Sequence, residues 1–303
     1  MTVRKQHPPL KNNKIFFLIL GVPIIFWAFA FPFIKIGLEE LSPANLTIMR
    51  LFFVCIIFLL IMVVAPKKFT KIQKKDLLPL FLLGFTGLVV YHFGLNYGEQ
   101  YMSASAASLI IATIPVLMVI LAAIFLKENI TKTIVIGIIL SFIGVVIISL
   151  WGTENASLEI EYLLAACAVF IAALVGAVYS IAGKKLLERY SPLSLTVYAF
   201  LFGSLGLIPL LSPSLITQVS SLSLKGWGAV LFLVIFPTVI GYVLWYVALQ
   251  KRPTSEVGAS LYFVPVLSTI FSYFLINESI TWMFIVGGFF VILGLILVNK
   301  HGV

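Results

Sequence analysis

Ten runs of about twenty apolar residues, joined by short polar connections, decide what this chain can fold into. They lie at about Ile15–Leu38, Ala44–Ala65, Leu77–Gly98, Ser103–Leu126, Thr133–Trp151, Glu161–Gly183, Leu193–Ser212, Gly226–Gln250, Ser255–Ile276 and Thr281–Asn299. A hydrocarbon core about 30 Å thick is crossed by about 20 residues of α-helix, so each run is long enough to span a bilayer. The runs are continuously apolar rather than alternating, which argues against a transmembrane β-barrel. Breakers and polar clusters such as Leu41-Ser42-Pro43, Ser191-Pro192 and Lys251-Arg252-Pro253 mark the connections. Basic residues up to Lys14 followed by Ala28-Phe29-Ala30 imitate a cleaved signal peptide, but the apolar run continues to Leu38. The expected fold is an all-α membrane protein with ten transmembrane helices.

Composition agrees. Of 303 residues, 61% are hydrophobic and 10% charged, where soluble domains carry about 25% charged residues. Mean hydropathy is +1.15. A cytosolic enzyme, a disordered chain and a nucleic-acid binder are all excluded on this ground. The formal net charge of +9 would by itself suggest an anionic partner. Its placement says otherwise. With the N-terminus inside, Lys225 is external and Lys35 and Arg50 fall within spans, which leaves seventeen of the twenty basic residues on the inner side. The positive-inside rule therefore predicts a multi-pass protein of the plasma (cell) membrane with both termini cytoplasmic. Cys55 and Cys167 sit in apolar runs and read as small buried hydrophobes, with no disulfide or zinc site implied.

The chain also repeats itself. Phe125-Leu126-Lys127-Glu128-Asn129-Ile130-Thr131 with Gly137 and Gly144 returns 150 positions later as Leu275-Ile276-Asn277-Glu278-Ser279-Ile280-Thr281 with Gly287 and Gly294. Ala107-Ser108-Leu109 and Pro115-Val116-Leu117 return as Ala259-Ser260-Leu261 and Pro265-Val266-Leu267. Ser42-Pro43 and Lys35 match Ser191-Pro192 and Lys184 at a shift of 149. The expected organisation is a cytoplasmic tail (1–14), a first five-helix repeat (15–151), an external connector (152–160), a second five-helix repeat (161–299) and a cytoplasmic C-terminus (300–303). Five is odd, so the second copy is expected to enter the membrane from the opposite side. Two inverted repeats interconvert readily between outward- and inward-open states around a site near the midplane, which is the pattern of a transporter.

These residues resemble the EamA family of the drug/metabolite transporter superfamily over nearly the whole chain. The resemblance rests on Trp27-Ala28 with Lys35, Pro43 with Arg50, the Ser103-to-Pro115 stretch, and both copies of the Glu128-to-Gly144 motif. It implies a ten-helix transporter with a central cavity, often an exporter of amino acids or other small metabolites. Uptake or exchange by the same fold is the alternative, ahead of a channel or an intramembrane enzyme.

Polar groups found in both halves are expected to serve the scaffold. Glu128 and Glu278 each precede a threonine, Thr131 or Thr281, suited to capping the next helix. Lys35 lies near a helix end with Glu39 one turn away. Arg50 is different, because its counterpart is Ala199 and it lies about 9 Å into its helix at 1.5 Å per residue. It reads equally as a contact for an anionic substrate or as a strut paired with Glu99 or Glu39. His92, Asn96 and Glu99 form one polar stripe, which must face the bundle or a water-filled cavity rather than lipid. Their counterparts are Tyr242, Tyr246 and Leu249, with Trp245 beside them. His92 and Glu99 are candidates for carrying a coupling proton, with exchange as the alternative. Trp27, Tyr91, Tyr97, Tyr179 and Tyr262 are aromatic candidates for the cavity or for plain core packing, and together they suit an aromatic or amphipathic substrate. Pro115 and Pro265 are candidate hinges or simple kinks. The Gly94–Gly98 spacing suits close helix contact.

The expected partners are a small-molecule metabolite and the lipid bilayer, with no nucleic acid. No cofactor or metal is expected, and no catalytic residue. Asp76 is the only aspartate, so a two-aspartate protease is impossible, and no zinc-protease, serine-hydrolase or ATP-binding motif is present.

Overall fold

The computed structural model describes residues 13–102, 104–151, 163–277 and 279–300, and their regular structure is helical throughout. The first half comprises α1 (Asn13–Leu38), α2 (Pro43–Val64), α3 (Leu77–Gly84), α4 (Tyr91–Tyr101), α5 (Ala104–Ile111), α6 (Ile114–Leu121) and α7 (Lys132–Trp151). The second comprises α8 (Leu163–Leu186), α9 (Pro192–Gly203), α10 (Ser214–Ser220), α11 (Leu224–Leu233), α12 (Gly241–Lys251), α13 (Thr254–Ala259), α14 (Phe263–Ile276) and α15 (Trp282–Lys300). Among the described residues seven helical stretches are long and apolar enough to cross a membrane, and they fall on the first three and the sixth to ninth apolar runs. The fourth, fifth and tenth runs hold shorter apolar helices, Ile114–Leu126, Lys132–Ile147 and Trp282–Val298. The connector at 152–160 and Glu278 lie outside the described residues.

Helix is the outcome because backbone groups in hydrocarbon must be satisfied within their own segment. Large apolar side chains such as Leu18, Val64, Leu164, Ile285 and Phe289 are left exposed on the outer surface, which suits lipid and not water. This is a multi-pass membrane protein. Cys167 is also exposed and Cys55 is half-buried, so neither is the fully buried hydrophobe that its apolar neighbourhood suggested. A helix packed on one side only leaves such positions facing outward.

Local geometry is duplicated between the halves. Ser42 caps α2 by accepting from Asn45 N at 3.3 Å, and Ser191 caps α9 by accepting from Ser194 N at 3.2 Å. Each precedes a proline at the start of its helix, where the missing N–H is harmless. Lys127 and Asn277 both adopt the left-handed conformation, at φ 54° and 55°. Asparagine tolerates that region and lysine does not favour it, so the shared turn is imposed by the fold. α3 runs into α4 through a π-helical segment, Phe85–Val90, and α11 runs into α12 through another, Val234–Ile240. In the latter, Pro237 cannot donate and the Thr238 hydroxyl donates instead to the Leu233 carbonyl at 2.6 Å.

The halves are interleaved. α1 packs on α12 and α14 of the second half, while α8 packs on α4, α5 and α6 of the first. α7 lies against α15, where a Cβ on Gly137 would stand 2.6 Å from the Gly294 carbonyl oxygen and one on Gly144 would stand 2.5 Å from that of Gly287. Only glycine permits that approach. One number rises as the other falls, so these matched helices run antiparallel. Three pairs of matched residues also touch each other. Cys55 Sγ lies 3.2 Å from Ser204 Oγ, His92 Nε2 lies 3.3 Å from Tyr242 Oη, and Ser141 Oγ donates to the Val291 carbonyl at 3.2 Å, at separations of 149, 150 and 150 residues.

Candidate functional site

A cavity with an empty volume of about 770 Å³, its opening included, lies between the halves. Its walls come from α1, α2, the α3–α4 helix, α5, α6, α8, α12 and α14. Gly87 helps to admit Tyr179, since a Cβ there would lie 2.6 Å from the tyrosine's own Cβ. Trp27 packs edge-on against Trp245 and Tyr242, at 5.1 and 5.7 Å between ring centroids. Tyr179 lies 5.6 Å from Tyr242, and His92 lies 5.9 Å from it. One wall of the cavity is therefore a cluster of aromatic rings. Trp245 Nε1 donates to Ser180 Oγ at 3.2 Å, which fixes that indole.

Arg50 enters this apolar space from α2. It is 2% exposed and donates from Nε to Thr238 Oγ1 at 2.7 Å. One residue earlier, the Pro237 carbonyl accepts from Trp27 Nε1 at 2.9 Å. The π segment of the second half thus orients both the cation and a principal aromatic ring of the first. The anticipated strut is not formed with Glu39, which pairs instead with Lys225 at 2.6 Å. The Glu99 carboxylate, the other candidate for the strut, does interact electrostatically with Arg50.

The polar stripe divides. His92, Asn96 and Glu99 are all buried, but only His92 lines the cavity. Asn96 Nδ2 donates to Thr47 Oγ1 at 2.9 Å and so ties α4 to α2. The Glu99 carbonyl accepts from Lys35. Trp27, Arg50, Tyr91, Tyr179, Tyr242, Trp245 and Pro265 line the cavity with His92, whereas Asn96, Glu99, Tyr97, Tyr246, Tyr262 and Pro115 do not. Tyr246 is buried, stacks on Tyr179 and donates to its carbonyl at 3.3 Å. Tyr262 joins a separate core under α7 and α15. Tyr97 stacks with Phe93 and meets Tyr101 edge-on along α4. Pro115 and Pro265 each lie in the first turn of the second part of an interrupted helix. Neither has an N–H to return to the carbonyl four residues earlier, which belongs to Ile111 or Leu261, and both of those residues line the cavity.

Close contacts between α4 and α8 run in opposite senses, as Gly94 meets Ala168 and Gly87 meets Tyr179. The C-termini of these helices therefore lie at opposite ends of the cavity, and each end is tied. At one, Lys35 Nζ donates to the carbonyls of Glu99 and Met102, capping α4. At the other, Lys184 Nζ donates to the Arg252 carbonyl, capping α12, and lies 3.8 Å from Glu128 Oε1. Glu128 accepts from Thr254 N, Ser255 N and Ser255 Oγ at 2.7, 3.1 and 2.9 Å. It therefore caps α13 of the opposite half rather than the helix that follows it. Thr131 serves that helix, accepting from Ile134 N at 3.3 Å.

Sequence reasoning missed Thr238 and Ser180. A hydroxyl in an apolar run ordinarily bonds back to its own helix, so nothing local marked these two as supports for Arg50 and Trp245. The proline beside Thr238 was the available signal.

The fold places an aromatic, cation-bearing cavity inside a multi-pass membrane protein, and its relatives make it a membrane transporter. Residues 13–150 and 163–300 each match the EamA-like transporter family, and the chain belongs to that family. An "Uncharacterized transporter" of Archaeoglobus fulgidus is 35% identical over 93% of this chain and 98% of its own. A "Probable terminal-alkyne amino-acid exporter" of Streptantibioticus cattleyicolor is 32% identical over 93% of this chain and 92% of its own. One solved structure shares the fold with a TM-score of 0.75 at 19% identity, covering 96% of this chain and 98% of that one.

Proposed function

We propose that the chain is a secondary transporter of the cell membrane that exports amino acids or related small metabolites, aromatic or amphipathic ones included, by alternating access. Ten crossings form two inverted five-helix repeats, 15–151 and 161–299, with both termini cytoplasmic. The observation that carries this reading is a cavity lying between matched helices that meet through His92 and Tyr242. The antiparallel contact of α7 with α15 supports the inversion. Rocking of the halves would open each end of the cavity in turn, with the helix breaks at Pro115 and Pro265 as hinges. Export follows the relative named as an amino-acid exporter, and uptake or exchange on the same fold is the second reading. His92 on the wall and Glu99 beneath it are the groups assigned to proton coupling.

Reconstituted protein is expected to move an amino acid or related metabolite saturably, under a proton gradient or by exchange. His92→Ala and Glu99→Gln should each abolish transport without lowering membrane abundance. Absence of flux for every such solute in both regimes defeats the transporter reading. Normal transport by both variants returns the stripe to a packing role.

A further inference from the structure

A second space lies outside the cavity. It is a groove of about 690 Å³, its opening included, between the end of α1 and the outer side of α11 with the π segment that follows. It shares no lining residue with the cavity, since Trp27, Ala30 and Ile34 of α1 line the cavity while Phe33 and Ile36 line the groove. A row of rings runs along it, with Phe33 stacked on Phe232 at 4.0 Å between centroids and Phe232 5.1 Å from Phe236. Gly228 makes a notch, because a Cβ there would meet nothing within 4 Å. At one end stands Lys225, 2.6 Å from Glu39, and both side chains are more than half exposed. At the other end Ile235 and Phe236 are exposed too. Lys225 and Phe236 are eleven residues apart on one helix face, about 16 Å at 1.5 Å per residue. One leaflet of a 30 Å hydrocarbon core is about 15 Å deep. The groove is therefore as long as a leaflet is deep, with its charges at the end where α1 stops.

We propose that this groove is a phospholipid site whose occupant carries a phosphate next to a primary ammonium, as phosphatidylethanolamine does. The phosphate meets Lys225, the ammonium meets Glu39, and one acyl chain lies over Gly228 against the rings of Phe33, Phe232 and Phe236. The local charge selects this head. Glu40, which accepts from Ser223 N and Ser223 Oγ, also feels the charge of Lys225. Two carboxylates thus share one lysine, and a head with a net negative charge is disfavoured while ethanolamine supplies the cation that is short. Choline carries the same charge but has no N–H to donate to Glu39. An exposed ion pair contributes little by itself, so Lys225 and Glu39 lose little in parting to admit the head. A transmembrane helix of a second copy would need a groove along the whole span, and this one covers half of it. The occupant also braces the outer side of the π segment. Ile235 and Phe236 come just before the Pro237 carbonyl that holds Trp27 and the Thr238 hydroxyl that holds Arg50. The assignment needs only a membrane-spanning chain and is independent of what the cavity transports.

Native mass spectrometry of the purified full-length protein tests this, in detergent with equimolar palmitoyl-oleoyl phosphatidylethanolamine, phosphatidylcholine and phosphatidylglycerol. The ethanolamine lipid should be retained about tenfold over either of the others, the scale of one hydrogen bond to a charged group. Glu39→Gln should abolish that preference, and Lys225→Ala should lower retention of the ethanolamine lipid by about the same factor. Gly228→Leu should lower retention of that lipid as well, because leucine fills the notch without touching the protein. Gly21→Leu is the control, since a Cβ there also meets nothing within 4 Å and Gly21 lines neither space. It should retain lipid as the native protein does. Equal retention of the three lipids, or Gly228→Leu holding as much ethanolamine lipid as the native protein, would overturn the assignment. A native dimer that Gly228→Leu converts to monomers with no loss of lipid would overturn it in favour of a second copy. Should Gly228→Leu fail to fold, the variants of the exposed Glu39 and Lys225 decide.

Discussion

Gly144→Ala should unfold at a markedly lower temperature than the native protein, although alanine favours helix over glycine by about 1 kcal/mol. The new Cβ would stand 2.5 Å from the Gly287 carbonyl oxygen, 2.7 Å from Val291 N and 2.9 Å from Val291 Cγ2. Two of those atoms are backbone, so α15 must move away from α7 and the contact between Ser141 and Val291 must lengthen with it. Overpacking of this kind costs about 3 kcal/mol at the upper end of its usual range. Gly288→Ala is the control, because a Cβ there meets nothing within 4 Å. Thermal unfolding in detergent, followed by the loss of monodisperse protein, would compare the two. If Gly144→Ala melts no lower than Gly288→Ala, the two helices are not held by their glycines.

Glu128→Ala should release one end of the cavity. The carboxylate accepts three hydrogen bonds at the start of α13 and faces Lys184, which itself caps α12. Glu128 is thus the joint at which a loop of the first half grips two helices and a connection of the second. Charge-assisted bonds are roughly twice as strong as neutral ones, and a shift of about 1.4 kcal/mol changes a two-state population tenfold. A cysteine at Leu261, placed on the cavity wall in a background without Cys55 and Cys167, is expected to react about ten times faster with an impermeant maleimide applied from the Glu128 side. Glu128→Gln, which still offers an acceptor, should fall between the two. Unchanged labelling in the alanine variant would mean that this end is closed by something else.

Much of this was legible in the residues because membrane folding exposes its constraints in one dimension. The apolar runs had to be helices, and the recurrence from Phe125 to Gly144 had to mean two copies of one unit. The aromatic wall was visible as Trp27, Tyr179, Tyr242 and Trp245 because those rings are large, few and placed within spans. The destinations of polar side chains were not legible. Asn96 and Glu99 share a face with His92 by helical spacing, yet α2 claims the Asn96 amide and neither residue lines the cavity. Thr131 caps the following helix as its position suggested, but Glu128, read only as a favourable charge near that helix's start, serves a helix of the other half. Periodicity says which face a residue occupies but not which neighbour arrives there, and π segments rotate the faces on either side of them.

The contact between His92 and Tyr242 has a consequence of its own. On the proposed alternating-access reading the two states are mirror versions of one arrangement, and a chain with identical halves would occupy them equally. At this position the halves differ, one offering an imidazole and the other a phenol, and the same inequality sets Arg50 against Ala199. The resting preference of the protein is then written in such mismatches, and exchanging His92 with Tyr242 would be the smallest edit that turns the preference round.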